Sequence, residues 1–535
     1  WLWAVFSIVT GHFADPDLWG RLSMGALFFQ NGRFPYRDIF SYTAYHAQWV
    51  DHEWLTGLVF YQILANFGET GFLAFKYLLV LGIFSLIFRL HRKGYQVSPL
   101  YAFYGLVLSV EAYIVGMYAT VRSHMFSFLF VMLFIYLLER VRLGQNSKKS
   151  LWLLPFLGLL WGNLHGGFIM GLLLLGCYGL GEMLRQRAIK PGLLYWGMAG
   201  LILFLAGVVS PYGLSYLPFL AHAWTLDRSH IGEWSAMRFD SWYFLCGQIL
   251  VVLGTIIPIL RWTFRDRLDA GEFARLITPA LVLFWLVAMT LKGVRFQPFL
   301  ALALIAYSPV FLSPEFLKRV LPTQLTSVFR SHSSAFCNLL PALIAILAVG
   351  GFFYMRDAGN PFRVVMADEL GVGPHLPIRY PLGAINFLQN SPYRGNLSVR
   401  FGYGEFAYWR LYPRFKVAMD GRYEEVYSQR EFLRNDAFYE TRDPFVAQKA
   451  AKKVSEDNTE FVLTETNLPN LGLLLQNGQW ELLYGDNCYA LLGKKTALAK
   501  FKPYHPPGFL LSDKIYTLGD FVTPADLKRF KTSDY

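Results

Sequence analysis

The amino-acid sequence predicts a polytopic α-helical membrane protein that ends in a water-facing α/β domain. The 535-residue chain is 54% hydrophobic and 17% aromatic but only 16% charged. Up to residue 356, long apolar runs bounded by charge recur, whereas the remaining chain alternates short apolar and polar segments. A helix needs about 20 apolar residues to cross the hydrocarbon core of a bilayer. The bilayer is therefore the expected solvent for most of this chain.

The apolar runs predict about eleven membrane spans. They lie near residues 1–10, 71–90, 99–119, 123–140, 151–163, 166–183, 193–210, 241–260, 275–291, 296–312 and 337–355. The first run is too short to span a bilayer and lacks the basic start and small-residue cleavage site of a signal peptide. We therefore expect the natural chain to begin upstream of Trp1.

Alternate loops carry the Lys and Arg residues, which predicts the orientation of the spans. The basic loops are His91–Lys93, Glu139–Lys149, Arg185–Lys190, Arg261–Arg267 and Lys318–Arg330. By the positive-inside rule these loops are cytoplasmic. The loops 11–70 and 211–240, and everything after residue 356, then face the far side. Most of the candidate chemistry is therefore extracytoplasmic.

The formal net charge of +12 does not indicate a nucleic-acid partner, because the basic residues are spread over short loops instead of one face. The four cysteines stand singly without metal-ligand spacing, so neither a disulfide framework nor a zinc site is predicted. These cysteines are Cys177, Cys246, Cys337 and Cys488.

The sequence predicts three regions. A membrane domain covers 1–356 and has a large first loop at 11–70. An α/β domain covers 357–495, and an irregular tail marked by prolines covers 496–535. The α/β domain is predicted from short periodic segments. They are a helix at Gly383–Gln389, strands at Phe415–Met419 and Thr459–Leu463, and a hairpin at Trp480–Leu492 around Gly485-Asp486-Asn487.

The first loop opens with Asp15 and Asp17 directly after the first span. Carboxylates at a membrane interface beside aromatic rings can have raised pKa values and act as general bases, or can bind Mg²⁺ or Mn²⁺. The alternative is structural: Asp15 is a good N-cap and Pro16 a good first residue of an interfacial helix. The apolar face of that helix would carry Leu18, Leu22 and Phe29.

Further polar candidates follow in the same loop. Arg21 is a candidate for substrate binding, as are the adjacent residues Asp51, His52 and Glu53. On a helix these three neighbours would point to different faces, so they could serve one site together only on irregular backbone. One of them as a polar partner of the Asp15 region is the simpler expectation.

A second set of ionisable residues lies at the far-side ends of other spans. Its members are Arg122, His124, His165, Lys292 and Arg295. Charges at membrane depth are expensive and are usually functional or paired. Together they could cradle an anionic lipid head group, since Arg binds phosphate in a bidentate manner. The alternative is that they form buried ion pairs with Asp15, Asp17 or Glu53.

In the α/β domain, the segments richest in polar residues contain Glu405, Asp420 and Arg422. Asp420-Gly421 is first of all a turn signal. Since loops often carry function, these three residues are also candidates for contacting an acceptor molecule.

Several segments together resemble a known superfamily. They are Asp-x-Asp-x-Trp at Asp15–Trp19, Pro-x-x-Asp-x-Phe-Ser-x-Thr at Pro35–Thr43, Trp-Val-x-His-Glu-Trp-Leu at Trp49–Leu55, Asn-Leu-His-Gly at Asn163–Gly166 and Asp-Gly-Arg at Asp420–Arg422. With the long first loop and the terminal domain, this pattern resembles the GT-C superfamily of polyprenyl-phosphate-sugar-dependent glycosyltransferases. This superfamily includes protein O-mannosyltransferases and aminoarabinose transferases. Within it, the chain is most similar to a group of bacterial GT-C-like membrane proteins.

The resemblance implies a GT-C-like fold in the bacterial cytoplasmic membrane and an inverting transfer. A sugar would move from a polyprenyl-phosphate carrier to a protein, glycan or lipid acceptor, with Asp15 or Asp17 as base or metal ligand. The chain lacks the long conserved acceptor-binding segments of oligosaccharyltransferases, which speaks against asparagine glycosylation.

Two other classes remain open. A non-catalytic GT-C-like scaffold or accessory subunit predicts that Asp15 and Asp17 are salt-bridged with no open cavity beside them. A transporter or flippase of lipid-linked substrate predicts charges at mid-span and broken helices, and the spans offer mainly Glu111.

Overall fold

The computed structural model describes residues 14–97, 121–241, 244–264, 270–313, 363–366, 379–504 and 516–532. In this part of the chain, a helical bundle precedes a domain of helices and strands. The helices of the bundle are α1 (Pro16–Asn31), α2 (Trp54–Arg89), α3 (His124–Arg142), α4 (Leu153–Leu164), α5 (Ile169–Gln186), α6 (Lys190–Val209), α7 (Tyr216–Thr225), α8 (Leu245–Thr263), α9 (Ala270–Lys292) and α10 (Gln297–Phe311).

Six helices among the described residues are long and apolar enough to cross a membrane. These six are α2, α3, α5, α6, α9 and α10. Helices α4 and α8 are also apolar but shorter. These eight helices coincide with eight predicted spans. The predicted spans at 1–10, 99–119 and 337–355 lie outside the described residues, so the total of about eleven stays a prediction.

Helix α2 begins inside the segment predicted as loop 11–70. Gly68 interrupts it with φ 61° and ψ −161°, a left-handed conformation that favours glycine. The break divides a first part, Trp54–Phe67, from the part that matches the predicted span at 71–90. The predicted span start was therefore close to a real discontinuity, but the loop is partly helical.

The helix ends form two groups of contacts, as the predicted alternation of loops requires. At one end, Arg142 donates to the carbonyl of Arg275 at 3.0 Å, and Gln145 donates to the carbonyl of Gly94 at 2.6 Å. The other end holds the first loop and the terminal domain. Apolar side chains such as Phe204 and Ile256 are exposed on the bundle surface, as lipid contact requires. Which end is cytoplasmic stays a prediction.

Charge also occurs inside the bundle. Lys76 lies in the spanning part of α2 and is fully buried. The expectation that Glu111 is the main charge at mid-span was therefore wrong, because Lys76 lies within the predicted span at 71–90. Glu111 itself falls outside the described residues.

Helix α1 has the predicted start, since Oδ1 of Asp15 accepts a hydrogen bond from the Asp17 amide at 3.1 Å and Pro16 is the first helical residue. The predicted one-sided burial was wrong. Every residue from Leu18 to Leu27 is buried, while Phe29 is exposed. Helix α1 packs on α2 on one side and under the C-terminal domain on the other, so it has no lipid-facing surface over this stretch.

The C-terminal domain contains two sheets with their covering helices. Its strands are β1 (Arg363–Met366), β2 (Arg379–Tyr380), β3 (Gly395–Ser398), β4 (Phe415–Val417), β5 (Phe461–Glu465), β6 (Trp480–Gly485), β7 (Tyr489–Lys494) and β8 (Tyr516–Thr517). Its helices are α11 (Leu382–Asn390), α12 (Gly404–Leu411), α13 (Tyr423–Val426), α14 (Gln429–Tyr439), α15 (Pro444–Glu456), α16 (Pro469–Gln476), α17 (Lys495–Leu498) and α18 (Pro524–Lys528).

The larger sheet has the order β4-β3-β5-β7-β6, with parallel pairing of β3 to β4 and to β5, and antiparallel pairing of β7 to β5 and to β6. The smaller sheet has the order β2-β1-β8. The predicted helix near 383–389, the two predicted strands and the predicted hairpin are confirmed as α11, β4, β5 and the β6–β7 pair.

The segment predicted as an irregular tail is partly ordered. Strand β8 pairs with β1, and α18 begins with a capping box made by Thr523 and Asp526. Phe530 is fully buried, and its carbonyl accepts from Asn31 at 2.9 Å. The prolines at 506 and 507, which suggested irregular chain, lie outside the described residues.

The first loop extends the larger sheet at its β4 edge. Ser41 forms a parallel bridge with Val417. The Val417 amide donates to the carbonyl of Phe40 at 2.8 Å, and the ring of Phe40 stacks on Tyr408 at 4.3 Å. The terminal domain and the first loop therefore share a sheet edge and a core, which fixes the polar residues of the loop against the domain.

Candidate functional site

The polar candidates gather in two charge clusters between the first loop, the far-side helix ends and the C-terminal domain. We call the first the Arg122 cluster, and it consists of Asp15, Asp17, Arg122, Glu233 and Arg295. We call the second the Arg21 cluster, and it consists of Arg21, Asp51, His52, Glu53, His165 and Glu425. Helix α1 contributes to both clusters.

In the Arg122 cluster one guanidinium group contacts three carboxylates. Nε of Arg122 lies 3.3 Å from Oδ1 of Asp15, and a terminal nitrogen bonds Oδ2 of Asp17. The other terminal nitrogen donates to Glu233 at 3.2 Å. Glu233 is shared, because Arg295 reaches its second oxygen at 3.4 Å. The alternative that these basic residues form ion pairs is therefore confirmed for Arg122.

The Arg122 cluster is partly open to solvent. The side chain of Asp17 is 40% exposed, and those of Glu233 and Arg295 are 26% exposed. Desolvation by the surrounding protein raises the pKa of Asp17, against the opposing effect of Arg122. Burial alone would raise the pKa of Glu233, but Arg122 and Arg295 outweigh it and lower that pKa to about 2. Asp17 thus binds a proton more readily than Glu233.

The predicted Mg²⁺ or Mn²⁺ site does not fit Asp15 and Asp17 in this arrangement. Oδ1 of Asp15 already accepts from a backbone amide and faces Arg122, and Oδ2 of Asp17 is bonded to the same guanidinium. A divalent cation between the two carboxylates would stand against a fixed positive charge.

A second carboxylate comes close to Asp17 from the terminal domain. Oε2 of Glu405 accepts from the Gly20 amide at 2.7 Å, while its Oε1 is buried and has no hydrogen-bond partner among the described residues. A Cβ atom on Gly421 would lie 2.7 Å from Oε1 of Glu405 and 3.1 Å from Oδ1 of Asp17. Only a glycine leaves room there. Burial and the charge of Asp17 raise the pKa of Glu405.

The Arg21 cluster is more deeply buried. Arg21 bonds Asp51 at 2.5 Å and lies 3.5 Å from Glu53 and 3.8 Å from Glu425. Nδ1 of His52 lies 2.7 Å from Oε1 of Glu425. Residues 51–53 form a turn before α2, in which the Glu53 amide donates to Asp51 at 2.8 Å. The irregular backbone brings all three adjacent side chains to one cluster, contrary to the simpler expectation that only one would serve.

Burial and the neighbouring charges together set the pKa values of the residues in the Arg21 cluster. Burial raises the pKa of Asp51 to about 6, even though Arg21 lies beside it. For His52, burial disfavours the charged ring, but hydrogen bonds to Glu425 and Glu53 outweigh it and raise the pKa to about 10. Burial works against ionised Glu53 as well, yet the charge of Arg21 lowers its pKa.

His165 joins the Arg21 cluster from the end of α4. Its Nδ1 accepts from the Gly167 amide at 3.0 Å and lies 2.6 Å from the hydroxyl of Ser127, whereas Nε2 lies 3.4 Å from Glu53. Burial lowers the pKa of His165 to about 4 despite Glu53. The ring is therefore neutral near pH 7, with its proton on the side of Glu53.

Asp420 and Arg422 do not line either cluster. They bind each other at 2.7 Å, and Arg422 also binds Asp38 of the first loop at 2.6 Å. Arg422 lies over the rings of Phe40 and Trp49, and both members of the pair are fully buried. These contacts join the loop to the domain, and the acceptor role of Asp420 and Arg422 stays a prediction.

Two predicted residues lie at the margin. His124 begins α3, with its ring 5.2 Å from that of Phe128. Lys292 ends α9 and is exposed, three residues before Arg295.

Sequence reasoning missed Glu233, Glu425 and Asp38. Glu233 is one of three acidic residues in the loop 211–240, with Asp227 and Asp240, and nothing in the sequence separates it from them. Its neighbour Trp234 lies under Arg295 at 3.9 Å. Glu425 is the second of two adjacent acids, so nothing in the sequence separates it from Glu424. Asp38 belongs to the Pro-x-x-Asp segment quoted for the resemblance, which was the available signal.

No protein-family model matches this chain, and none of the curated proteins compared with it matches. Among solved structures, the apo oligosaccharyltransferase of Archaeoglobus fulgidus is 12% identical, with 86% of this chain and 68% of that chain covered and a TM-score of 0.47. The archaeal oligosaccharyltransferase AglB from the same organism, in complex with an inhibitory peptide and a dolichol-phosphate, is 11% identical, with coverages of 92% and 74% and a TM-score of 0.48.

A third structure is the A. fulgidus oligosaccharyltransferase tethered to an acceptor peptide containing the NVT sequon via a disulfide bond. It is 11% identical, with coverages of 86% and 68% and a TM-score of 0.48. Likenesses at this level assign no residue role and no substrate. The site itself has to support any function.

Proposed function

We propose that the protein is a membrane glycosyltransferase that moves a sugar from a polyprenyl-phosphate carrier to an extracytoplasmic acceptor. The observation that carries the proposal is the pair of guanidinium groups in the Arg122 cluster. Arg122 and Arg295 reach the two oxygens of one carboxylate, Glu233, at 3.2 and 3.4 Å. A phosphate group offers the same pairing of oxygens, and arginine binds phosphate well.

The position of this pair suits a lipid-linked donor. Arg295 lies two residues before the spanning helix α10, and Arg122 lies two residues before α3, so both are at the ends of apolar helices. A prenyl tail between the helices would place its phosphate at this level. Glu233 would have to move aside or share the arginines when the donor binds.

Asp17 is the proposed general base. Its side chain is the most exposed of the three carboxylates around Arg122, and its pKa is raised. Asp15 caps α1 and is buried, so it has a positioning role. The acceptor hydroxyl would form a bond to the anomeric carbon as the bond from that carbon to the phosphate oxygen breaks. Asp17 takes the hydroxyl proton, and the polyprenyl phosphate leaves with the bonding electron pair beside Arg122 and Arg295.

The test is transfer or donor hydrolysis by the purified full chain, with a panel of radiolabelled polyprenyl-phosphate sugars. We expect Asp17→Asn to lose about 10²-fold to 10⁴-fold in rate, the range for a general base. Asp15→Asn should lose less, because its contribution is structural. Since Asp17 must be ionised, the rate should fall as the pH falls through its raised pKa. A variant that binds donor normally but retains full turnover without Asp17 would refute this role.

The accessory-subunit alternative is favoured by one observation: Asp15 and Asp17 are both paired with Arg122, as that alternative requires. The assay separates the two functions. If the folded wild-type chain neither binds nor turns over any donor in the panel, with and without added Mn²⁺ or Mg²⁺, the accessory function becomes the better proposal.

A further inference from the structure

We infer that Trp234 is a positioning residue of the proposed donor site, whose ring holds the Arg295 guanidinium for the donor phosphate and links it to the terminal domain. This role rests on the proposed function, because it takes Arg122 and Arg295 as the phosphate-binding groups. The Cζ atom of Arg295 lies 3.9 Å from the centroid of the Trp234 ring. A guanidinium is attracted to an aromatic face within about 6 Å of the ring centroid, and tryptophan is the best such partner.

The contact of Arg295 with Trp234 differs from its contact with Glu233. Arg295 lies 3.4 Å from Glu233, the carboxylate whose place a donor phosphate would take. The ring is uncharged and does not compete with an anion for the guanidinium, so this contact remains when the donor binds. An arginine side chain that is already held loses less conformational entropy on binding phosphate than a free one. The ring should therefore increase the affinity for the donor phosphate through Arg295.

The loop that carries the ring is bonded to the turn that carries Arg295. The Val294 amide donates to the carbonyl of Ser235 at 3.0 Å. The rings of Trp234 and Phe296 pack edge to face, with their centroids 6.2 Å apart. Both chain neighbours of Arg295 thus contact the segment that contains Trp234, which keeps the ring beside the guanidinium.

A second guanidinium ties the ring to the terminal domain. The Cζ atom of Arg228 lies 4.7 Å from the ring centroid of Trp234. Arg228 is buried, donates to the carbonyl of Ala223 at 2.6 Å and forms an ion pair with Glu424 at 3.1 Å. Glu424 lies in α13 of the terminal domain, so a continuous set of contacts runs from that domain through Trp234 to Arg295. Loss of the Glu424 carboxylate should therefore weaken phosphate binding at the donor site.

The experiment measures the dissociation constant of a radiolabelled polyprenyl phosphate from the purified full chain in detergent. We expect Trp234→Leu to weaken binding about threefold to thirtyfold, the range for a lost cation–π contact. Trp234→Phe keeps an aromatic face and should bind within about threefold of wild type. Glu424→Gln should weaken binding less than Trp234→Leu, by up to about fivefold. Trp224→Leu is the matched control at an exposed tryptophan of α7 and should leave the affinity unchanged.

A double-mutant cycle tests whether the ring acts through Arg295. Arg295→Gln should weaken binding by itself, and Trp234→Leu should then add little. Thermal unfolding in the same detergent shows whether each variant folds. If Trp234→Leu does not fold, tryptophan analogues fluorinated stepwise at position 234 keep the shape of the ring while they withdraw electron density from its face. Binding should then weaken with each added fluorine.

Two results would overturn this role of Trp234 and leave the proposed function intact. One is polyprenyl phosphate binding by Trp234→Leu, or by the fluorinated chains, that is as tight as in wild type. The other is a loss in Trp234→Leu that is equally large in the Arg295→Gln background, which would mean that the ring supports the loop and not the guanidinium. Wild-type protein that binds no polyprenyl phosphate would instead refute the proposed donor site, and the role of Trp234 with it.

Discussion

The Arg122 cluster and the Arg21 cluster are built from similar residues but differ in their access to solvent. Each places an arginine among three carboxylates. Around Arg122, the Asp17 side chain is 40% exposed, whereas around Arg21 the side chains of Asp51 and Glu425 are each 1% exposed. The partners also differ, since the Arg122 cluster lies among helix ends and the Arg21 cluster ties α1 to the terminal domain.

This difference separates two uses of the same chemistry. Partly exposed ion pairs contribute little to stability and exchange partners easily, which suits the Arg122 cluster to the donor site proposed above. Buried pairs are strongly destabilising when one partner is lost. The Arg21 cluster therefore suits a fixed joint between the first loop and the terminal domain.

The largest expected effect is on folding. Arg21→Met removes the arginine that contacts Asp51, Glu53 and Glu425, and should destabilise the protein by about 3–5 kcal/mol, the range for a broken buried pair. Arg122→Met should cost less, because two of the three carboxylates that Arg122 contacts, Asp17 and Glu233, are partly exposed. Thermal unfolding followed by tryptophan fluorescence in the same detergent would measure both. Equal losses in the two variants would contradict the division between the clusters.

A smaller effect is expected at Gly421, which lies beside the carboxylates of Glu405 and Asp17. Gly421→Ala would put a Cβ 2.7 Å from Glu405 and 3.1 Å from Asp17. We expect a loss of about 1–3 kcal/mol from overpacking, together with reduced transfer because Asp17 is displaced. Gly402→Ala is the matched control in the same domain, since its Cβ would meet no atom of the described residues within 4 Å. A Gly421→Ala protein as stable and active as this control would show that Asp17 and Glu405 are not held against Gly421.

What the sequence predicted well was local. The N-cap of α1 at Asp15, the start of the helix at Pro16 and the existence of the eight described apolar helices all depend on signals within a few residues. The position of the span start near Gly68 also follows from the local composition. Such features form with little help from distant parts of the chain.

The features that the sequence did not predict depend on contacts between residues that are far apart in the chain. Helix α1 is buried all round because Trp19 packs against Phe406 and Trp409. Glu425 joins Arg21 across some four hundred residues, and Glu233 joins Arg122 from another loop. No spacing rule in a single sequence brings such residues together.

The Asp51-His52-Glu53 segment shows the same limit at short range. Helical geometry would separate the three side chains, and the sequence did not reveal that a turn precedes α2 at Trp54. The three side chains meet in one cluster because of this backbone conformation, and their role in substrate binding stays a prediction.

The smallest expected effect tests the Arg122 cluster through pH. The pKa of Glu233 is lowered from its usual 4.5 to about 2, so its contribution to stability is present above pH 4.5 and is lost as the pH falls toward 2. Wild type should therefore unfold about 1–2 °C higher than Glu233→Gln above pH 5, as expected for a partly exposed pair. This difference should shrink between pH 4.5 and pH 3. The exposed Glu481 in β6 provides the control variant Glu481→Gln. A difference that is constant down to pH 3 would mean that Glu233 is not held ionised by the two arginines, and would remove the anion-binding pair on which the proposed donor site depends.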